Sequence, residues 1–189
     1  MSHFRVHTKS SAPEQSAVLL AGAEKAYGFV PNLLGVLAES PAALNAYISA
    51  GQIFDQSSLS PQERQIVILS ASRFNNCGYC VAAHSVIAGM QKVPAAVVQG
   101  IREDRELDDH RLEALRVFTT CVVEKRGWVS SEDIQNFLDA GYSRTQILEV
   151  IQGVSFKTLS NYVNHIAATP LDDAFVSQQW VSPDKQQAA

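Results

Sequence analysis

Apolar residues recur at three-to-four spacing along most of the chain, and the stretches that carry them are punctuated by helix caps. "SAVLLAGAEKAYGF" (16–29) follows this period to Gly28, ahead of a turn at Pro31. Ser40 and Pro41 predict an N-cap and a proline in the first turn, opening "PAALNAYISAGQIF". Ser60, Pro61 and Glu63 repeat the signal more strongly, because Ser-x-x-Glu is a capping-box pattern. Asn75 and Asn76 break that helix, and the next one runs to a C-cap expected at Gly89. Val93 and Pro94 open a short helix, followed by the charged connector "REDRELDD" (102–109). Residues 111–125 and 130–140 form two further amphipathic pieces, the second stopped by Gly141. Ser143-x-x-Gln146 is a second capping box, opening a long helix to about Ala168. Strand-like alternation is missing except for "QIVIL" (65–69), which strong helix signals flank. The expectation is an all-α single domain over residues 1–189, with its motif-bearing core at about 60–125. The ends, 1–12 and 175–189, are expected to be flexible.

Composition narrows the function. The 189 residues are 46% apolar, enough for a substantial core, and carry a formal net charge of −4. No Lys/Arg cluster offers nucleic acid an electrostatic footprint, so that partner is set aside. The first residues, "MSHFRVHTKSSAPEQS", lack the apolar centre of a secretory signal, and no run approaches membrane-span length. The expectation is a soluble cytoplasmic protein. In a reducing compartment a close cysteine pair is catalytic or metal-binding more often than it is a structural staple.

That pair lies in "CGYCVAAH" (77–84). On a helix advancing about 100° per residue, Cys77 to Cys80 is i,i+3 and Cys80 to His84 is i,i+4. Both sulfurs and the imidazole would then share one stripe, with Tyr79 pointing elsewhere. A helix N-terminus favours a thiolate at Cys77, and His84 is placed to take a proton from Cys80 or return one. A thiolate attacking a peroxide gives a sulfenic acid, which a thiol three residues away can convert to a disulfide.

Rival chemistries fit less well. Structural zinc normally needs four ligands, and Cys77, Cys80 and His84 supply three. Haem attachment would need histidine where Val81 stands, and a thioredoxin-type pair needs a βαβ setting. Cys121 is expected in the core and His165 as a C-terminal helix cation. His110 is expected to be solvated, and Tyr27, Phe29, Phe54 and Phe74 to pack in the core or an interface. Trp128 and Trp180 suggest no chemistry.

At these residues the chain resembles the AhpD-like, carboxymuconolactone-decarboxylase-related family of alkylhydroperoxidases, in its peroxidase-related branch. The resemblance rests on Cys77-x-x-Cys80-x-x-x-His84 within "RFNNCGYCVAAHS", with "YGFVPNLLGVLAESPAALNAY" (27–47) upstream and "NYVNHIAATPLDD" (161–173) downstream. It implies an all-helical fold, assembly as trimers or hexamers, and hydroperoxide reduction without a bound cofactor or metal. It further implies that Cys80 attacks the peroxide, Cys77 resolves the intermediate, His84 joins a proton relay, and an external thiol re-reduces the pair. Two departures stand out. Tyr79 replaces a histidine of the prototype, and the relay glutamate twelve residues before the first cysteine is Gln65 here, which cannot carry a proton. Glu63 is a nearby carboxylate, but it points about 200° from Gln65 on one helix and is better explained as the partner of Ser60. The alternatives kept open are a decarboxylase-like lyase using His84 on a lactone, and a binding module whose cysteine pair holds a metal.

Overall fold

Serine and aspartate caps set where the helices begin. In the computed structural model, which describes residues 4–182, the elements are α1 (Glu14–Tyr27), α2 (Asn32–Leu37), α3 (Pro41–Phe54), α4 (Pro61–Phe74), α5 (Gly78–Met90), α6 (Ala95–Glu103), α7 (His110–Glu124), α8 (Ser131–Asp139) and α9 (Arg144–Ala167). A short 3-10 helix (Asp173–Gln178) follows, and the described residues contain no strand. Ser40, Ser60, Asp109, Ser130 and Ser143 each accept a backbone N–H three residues on, starting α3, α4, α7, α8 and α9. The capping boxes at Ser60/Glu63 and Ser143/Gln146 are both formed, and Ser130/Asp133 makes a third.

Two local expectations need correction. α2 occupies what reads as a turn, because Pro31 starts a helix as readily as it ends one. Gly89 lies inside α5, which continues to Met90, and Lys92 at φ +61° takes the left-handed position after it.

α4 sits at the centre. Gln65 through Ser72 are all buried, and the helix packs against α5, α6, α7 and α9. A helix enclosed on every side has no polar stripe, which explains why "QIVIL" mimics a strand. α9 crosses close to α4 and α3 at Gly153, where a Cβ would come within 2.7 Å of Phe54 Cζ and 2.8 Å of Val67 Cγ1. Gly153→Ala is therefore expected to cost about 1–3 kcal/mol through overpacking, against an alanine preference in helices of roughly 1 kcal/mol. Thermal unfolding of the two proteins measures this; an unchanged midpoint would mean that α9 can slide aside.

Both ends, where described, are tied down rather than loose. His7 donates its backbone N–H to Gly35 O at 3.0 Å, and its ring Nε2 lies 2.8 Å from Glu39. Phe175 packs edge-on between Phe29 and Tyr79, with ring centroids 5.9 and 6.0 Å away. Arg102 donates to Ser85 Oγ at 2.8 Å and to the carbonyls of Gln178 and Gln179 at 3.1 and 3.2 Å. Ser182 reaches Asn76 Oδ1 at 2.6 Å. Residues 1–3 and 183–189, the rest of the expected flexible ends, lie outside the described residues.

Candidate active site

The helix break at Asn75 and Asn76 builds the cysteine turn. Asn76 adopts φ +55°, and the amide of Cys77 donates back to Ser72 O at 2.9 Å. Cys77 is thereby the N-cap of α5, with ψ 90°, rather than a residue within it. Gly78 follows because the chain end passes directly over it: a Cβ there would lie 2.8 Å from the carbonyl oxygen of Trp180. Cys77 and Cys80 are free thiols, each 1% exposed.

α9 supplies the other wall. Lys157, Ser160 and Asn164, at i, i+3 and i+7, are buried on its inner face. Asn164 Nδ2 donates to Cys80 Sγ at 3.3 Å and to Cys77 Sγ at 3.8 Å. Its Oδ1 is buried with no hydrogen-bond partner among the described residues. Cys80 Sγ lies 3.8 Å from Ser160 Oγ, which donates to Lys157 O at 3.1 Å. Tyr47 of α3 closes this side, its ring stacked on Phe156 at 4.8 Å between centroids.

The two thiols differ electrostatically. Burial opposes ionisation of Cys80, but the hydrogen bond from Cys77, the Lys157 ammonium, the contact with Ser160 and the bond from Asn164 outweigh it. The net effect holds Cys80 well below the ordinary thiol range. Cys77 goes the other way: its hydrogen bond to Cys80 and its burial push it far above that range. The expectation that the helix N-terminus makes Cys77 the thiolate is therefore corrected. In one buried pair ionisation of one thiol opposes that of the other, and the surrounding donors and cation favour Cys80.

His84 is held by partners other than the sulfurs. No hydrogen bond joins it to either sulfur. Nε2 lies 3.1 Å from Lys157 Nζ and Nδ1 lies 3.2 Å from Gln65 Oε1. Because the ammonium can only donate, Nε2 is the acceptor, and Nδ1–H must donate to Gln65. Burial and the Lys157 charge hold the imidazole neutral, its pKa well below the usual value. Gln65 Nε2 then donates to Gln91 Oε1 at 3.2 Å.

Gln65 thus reaches the site through His84, whereas Glu63 does not reach it. Glu63 accepts the Ser60 amide at 2.8 Å and pairs with Arg111 on the far side of α4. It is a corrected candidate, removed by the same 200° that separates it from Gln65. Tyr79 is a peg rather than a proton carrier: its hydroxyl donates to Asp172 Oδ2 at 2.5 Å and accepts Leu33 N–H at 3.3 Å. Burial and the Asp172 carboxylate raise its pKa far beyond neutrality.

The remaining sequence candidates lie elsewhere. Cys121 is half-buried between α7 and α8, 3.9 Å from Asp133, and is not a full core residue. His110 and His165 are exposed at helix ends. Phe54 is buried as expected, whereas Tyr27 and Trp128 are exposed. Among the described residues no three His, Cys, Asp or Glu side chains gather as a group that could hold a metal. No described helix is long and apolar enough to cross a membrane.

Lys157 and Asn164 are the residues that sequence reasoning misses. Their signal was present: they fall in phase with Val150, Gly153, Phe156 and Ala167, the inward positions of α9. A lysine in register with a buried stripe has to be explained by a partner.

Comparison with known proteins agrees with this architecture. Residues 38–109, which include the cysteine turn and His84, match the model of the carboxymuconolactone decarboxylase family. No curated protein matches the chain. An alkylhydroperoxidase AhpD core structure, an uncharacterized peroxidase-related protein from Ralstonia eutropha JMP134, superposes with a TM-score of 0.81 at 22% identity, covering 92% of this chain and 94% of its own. An uncharacterized peroxidase-related protein from Silicibacter sp. TM1040 gives 0.79 at 19% identity, with 93% of each chain covered. The debrominase Bmp8, in a variant bound to 2,3,4-tribromopyrrole, gives 0.78 at 18% identity, covering 94% of this chain and 97% of its own. The chain has the all-α fold of these AhpD-core structures, and its residues 38–109 are similar to the carboxymuconolactone decarboxylase family.

Proposed function

We propose that the protein is a thiol-dependent peroxidase that reduces organic hydroperoxides through Cys80 and Cys77. The observation that supports it best is the asymmetric buried pair, with Cys80 poised as thiolate and Cys77 held protonated beside it. Cys80 attacks the terminal peroxide oxygen, the O–O bond breaks, and with one proton the products are a sulfenic acid and an alcohol. The Cys77 thiol then displaces water from that sulfenic acid, closing the disulfide. Two equivalents of an external thiol restore the pair and leave as their own disulfide. The unpartnered Asn164 Oδ1 is an acceptor for the hydroperoxide O–H during attack. No bound cofactor is needed. The protein acts in the cytoplasm, and copies assemble as trimers or hexamers, consistent with the exposed Leu148, Tyr162 and Ile166 on α9.

Stoichiometric treatment of reduced protein with an alkyl hydroperoxide is expected to give one alcohol and one Cys77–Cys80 disulfide per chain, read by mass spectrometry. Absence of both products overturns the reading. Bromide release from a brominated pyrrole without peroxide consumption would replace the substrate class. Lactone turnover that survives loss of both cysteines would favour the lyase built on His84.

A further inference from the structure

Lys157 lies in the core at 0% exposure, and no described carboxylate pairs with it. A buried ammonium without a counter-charge costs several kcal/mol, so some group nearby must balance it. His84 cannot, since its neutral Nε2 only accepts a hydrogen bond from Nζ at 3.1 Å. Phe156 offers a ring face at 5.1 Å, a weaker interaction. The titratable groups around Lys157 are Cys77 at the N-cap of α5 and Cys80 and His84 within it; Tyr47 of α3 neighbours the two cysteines, and α4 contributes the uncharged Gln65. Burial, the largest influence on it, holds Tyr47 as a neutral phenol. Cys80 is therefore the group left to carry the negative charge.

We propose that Lys157 is the counter-charge of Cys80 and the acid that protonates the oxygen leaving the hydroperoxide. This rests on the peroxidase reading and supplies what Gln65 cannot. The reduced site holds a Cys80 thiolate, a Cys77 thiol and a Lys157 ammonium. The thiolate bonds to one peroxide oxygen, the O–O bond breaks, and the departing alkoxide takes the proton of Nζ. Condensation of the sulfenic acid with the Cys77 thiol releases water. The oxidised site then holds a disulfide, and the proton of Lys157 has passed to the alcohol. The lone pair of His84 Nε2 aims one N–H of Lys157, and Gln65 fixes the tautomer that makes this possible. His84 and Gln65 are positioning residues in this scheme.

The first test needs no variant. Reduced wild-type protein should show ultraviolet thiolate absorbance for one thiol at pH 7. Oxidation by one equivalent of alkyl hydroperoxide should then abolish that absorbance as the disulfide forms. Absence of the thiolate overturns the proposal. Lys157→Met removes the charge at similar volume and should move the thiolate midpoint up by at least about one pH unit, roughly tenfold less thiolate at pH 7. Lys157→Arg keeps the charge but yields no proton near neutrality, so thiolate absorbance should persist while peroxide turnover falls. An unchanged midpoint in folded Lys157→Met overturns the proposal. The two readings separate cleanly. A wild-type protein that shows the Lys157-dependent thiolate but spares hydroperoxides loses the peroxidase reading and keeps the counter-charge. Peroxide turnover with a Lys157-independent thiolate does the reverse.

Discussion

Cys80→Ser is expected to lower hydroperoxide turnover by about a thousandfold or more, the scale seen when a nucleophile is removed. A serine hydroxyl in the same place is not ionised by an ammonium, because alcohols are far weaker acids than thiols. Cys77→Ser should behave differently. Its Cys80 keeps the Lys157 charge and the Asn164 donor, so it should consume one equivalent of peroxide and stop as a sulfenic acid, trapped by a nucleophilic probe. Single-turnover kinetics of the two variants with mass spectrometry of the products decide the assignment. If Cys77→Ser is inert and Cys80→Ser gives the trapped sulfenic acid, the two cysteines exchange roles.

Glu63→Ala is expected to destabilise the fold by about 2–3 kcal/mol at pH 7, through a lost cap and an unpaired buried amide. Glu63 is buried, closes the Ser60 capping box and pairs with Arg111. Burial opposes its charge, but the Ser60 and Arg111 hydrogen bonds prevail and hold the carboxyl below the ordinary glutamate range. A depressed pKa in the folded state gives stability that is present above the unfolded value and is lost as pH falls through the folded one. The gap between wild type and Glu63→Ala should therefore narrow in acid. Glu63→Gln should recover part of the loss, since glutamine also completes a capping box. Denaturant unfolding at neutral and acidic pH measures all three proteins. Peroxide turnover per folded molecule should be unchanged, and its loss in folded Glu63→Gln would return Glu63 to the active site.

Most of the fold is legible in the sequence because its caps are written locally. Ser40, Ser60 and Ser143 announce their helices within four residues, and the hydrophobic period does the rest. α2 was hidden because six residues between two prolines carry too short a period to recognise. The cysteine pair was equally legible, since Cys77-x-x-Cys80 needs no tertiary information to be noticed. Its polarity was not. Which thiol ionises depends on Lys157, Ser160 and Asn164, which lie some eighty residues away and reach it only after α9 docks. The partners of His84 were hidden for the same reason: helical geometry places it one turn beyond Cys80, but its ring nitrogens are taken by Lys157 on another helix and by Gln65.

Lys157, Ser160 and Asn164 ride on one 24-residue rod, α9, whose seating is fixed one turn away where Gly153 meets Phe54 and Val67. A hydrogen atom at that position thus trims the reaction centre from roughly 6 Å (Lys157) to roughly 16 Å (Asn164) along the axis without touching it. A single added methyl would tilt the rod and withdraw cation, hydroxyl and carboxamide from the sulfurs together, so a packing defect there would present itself as a chemical one.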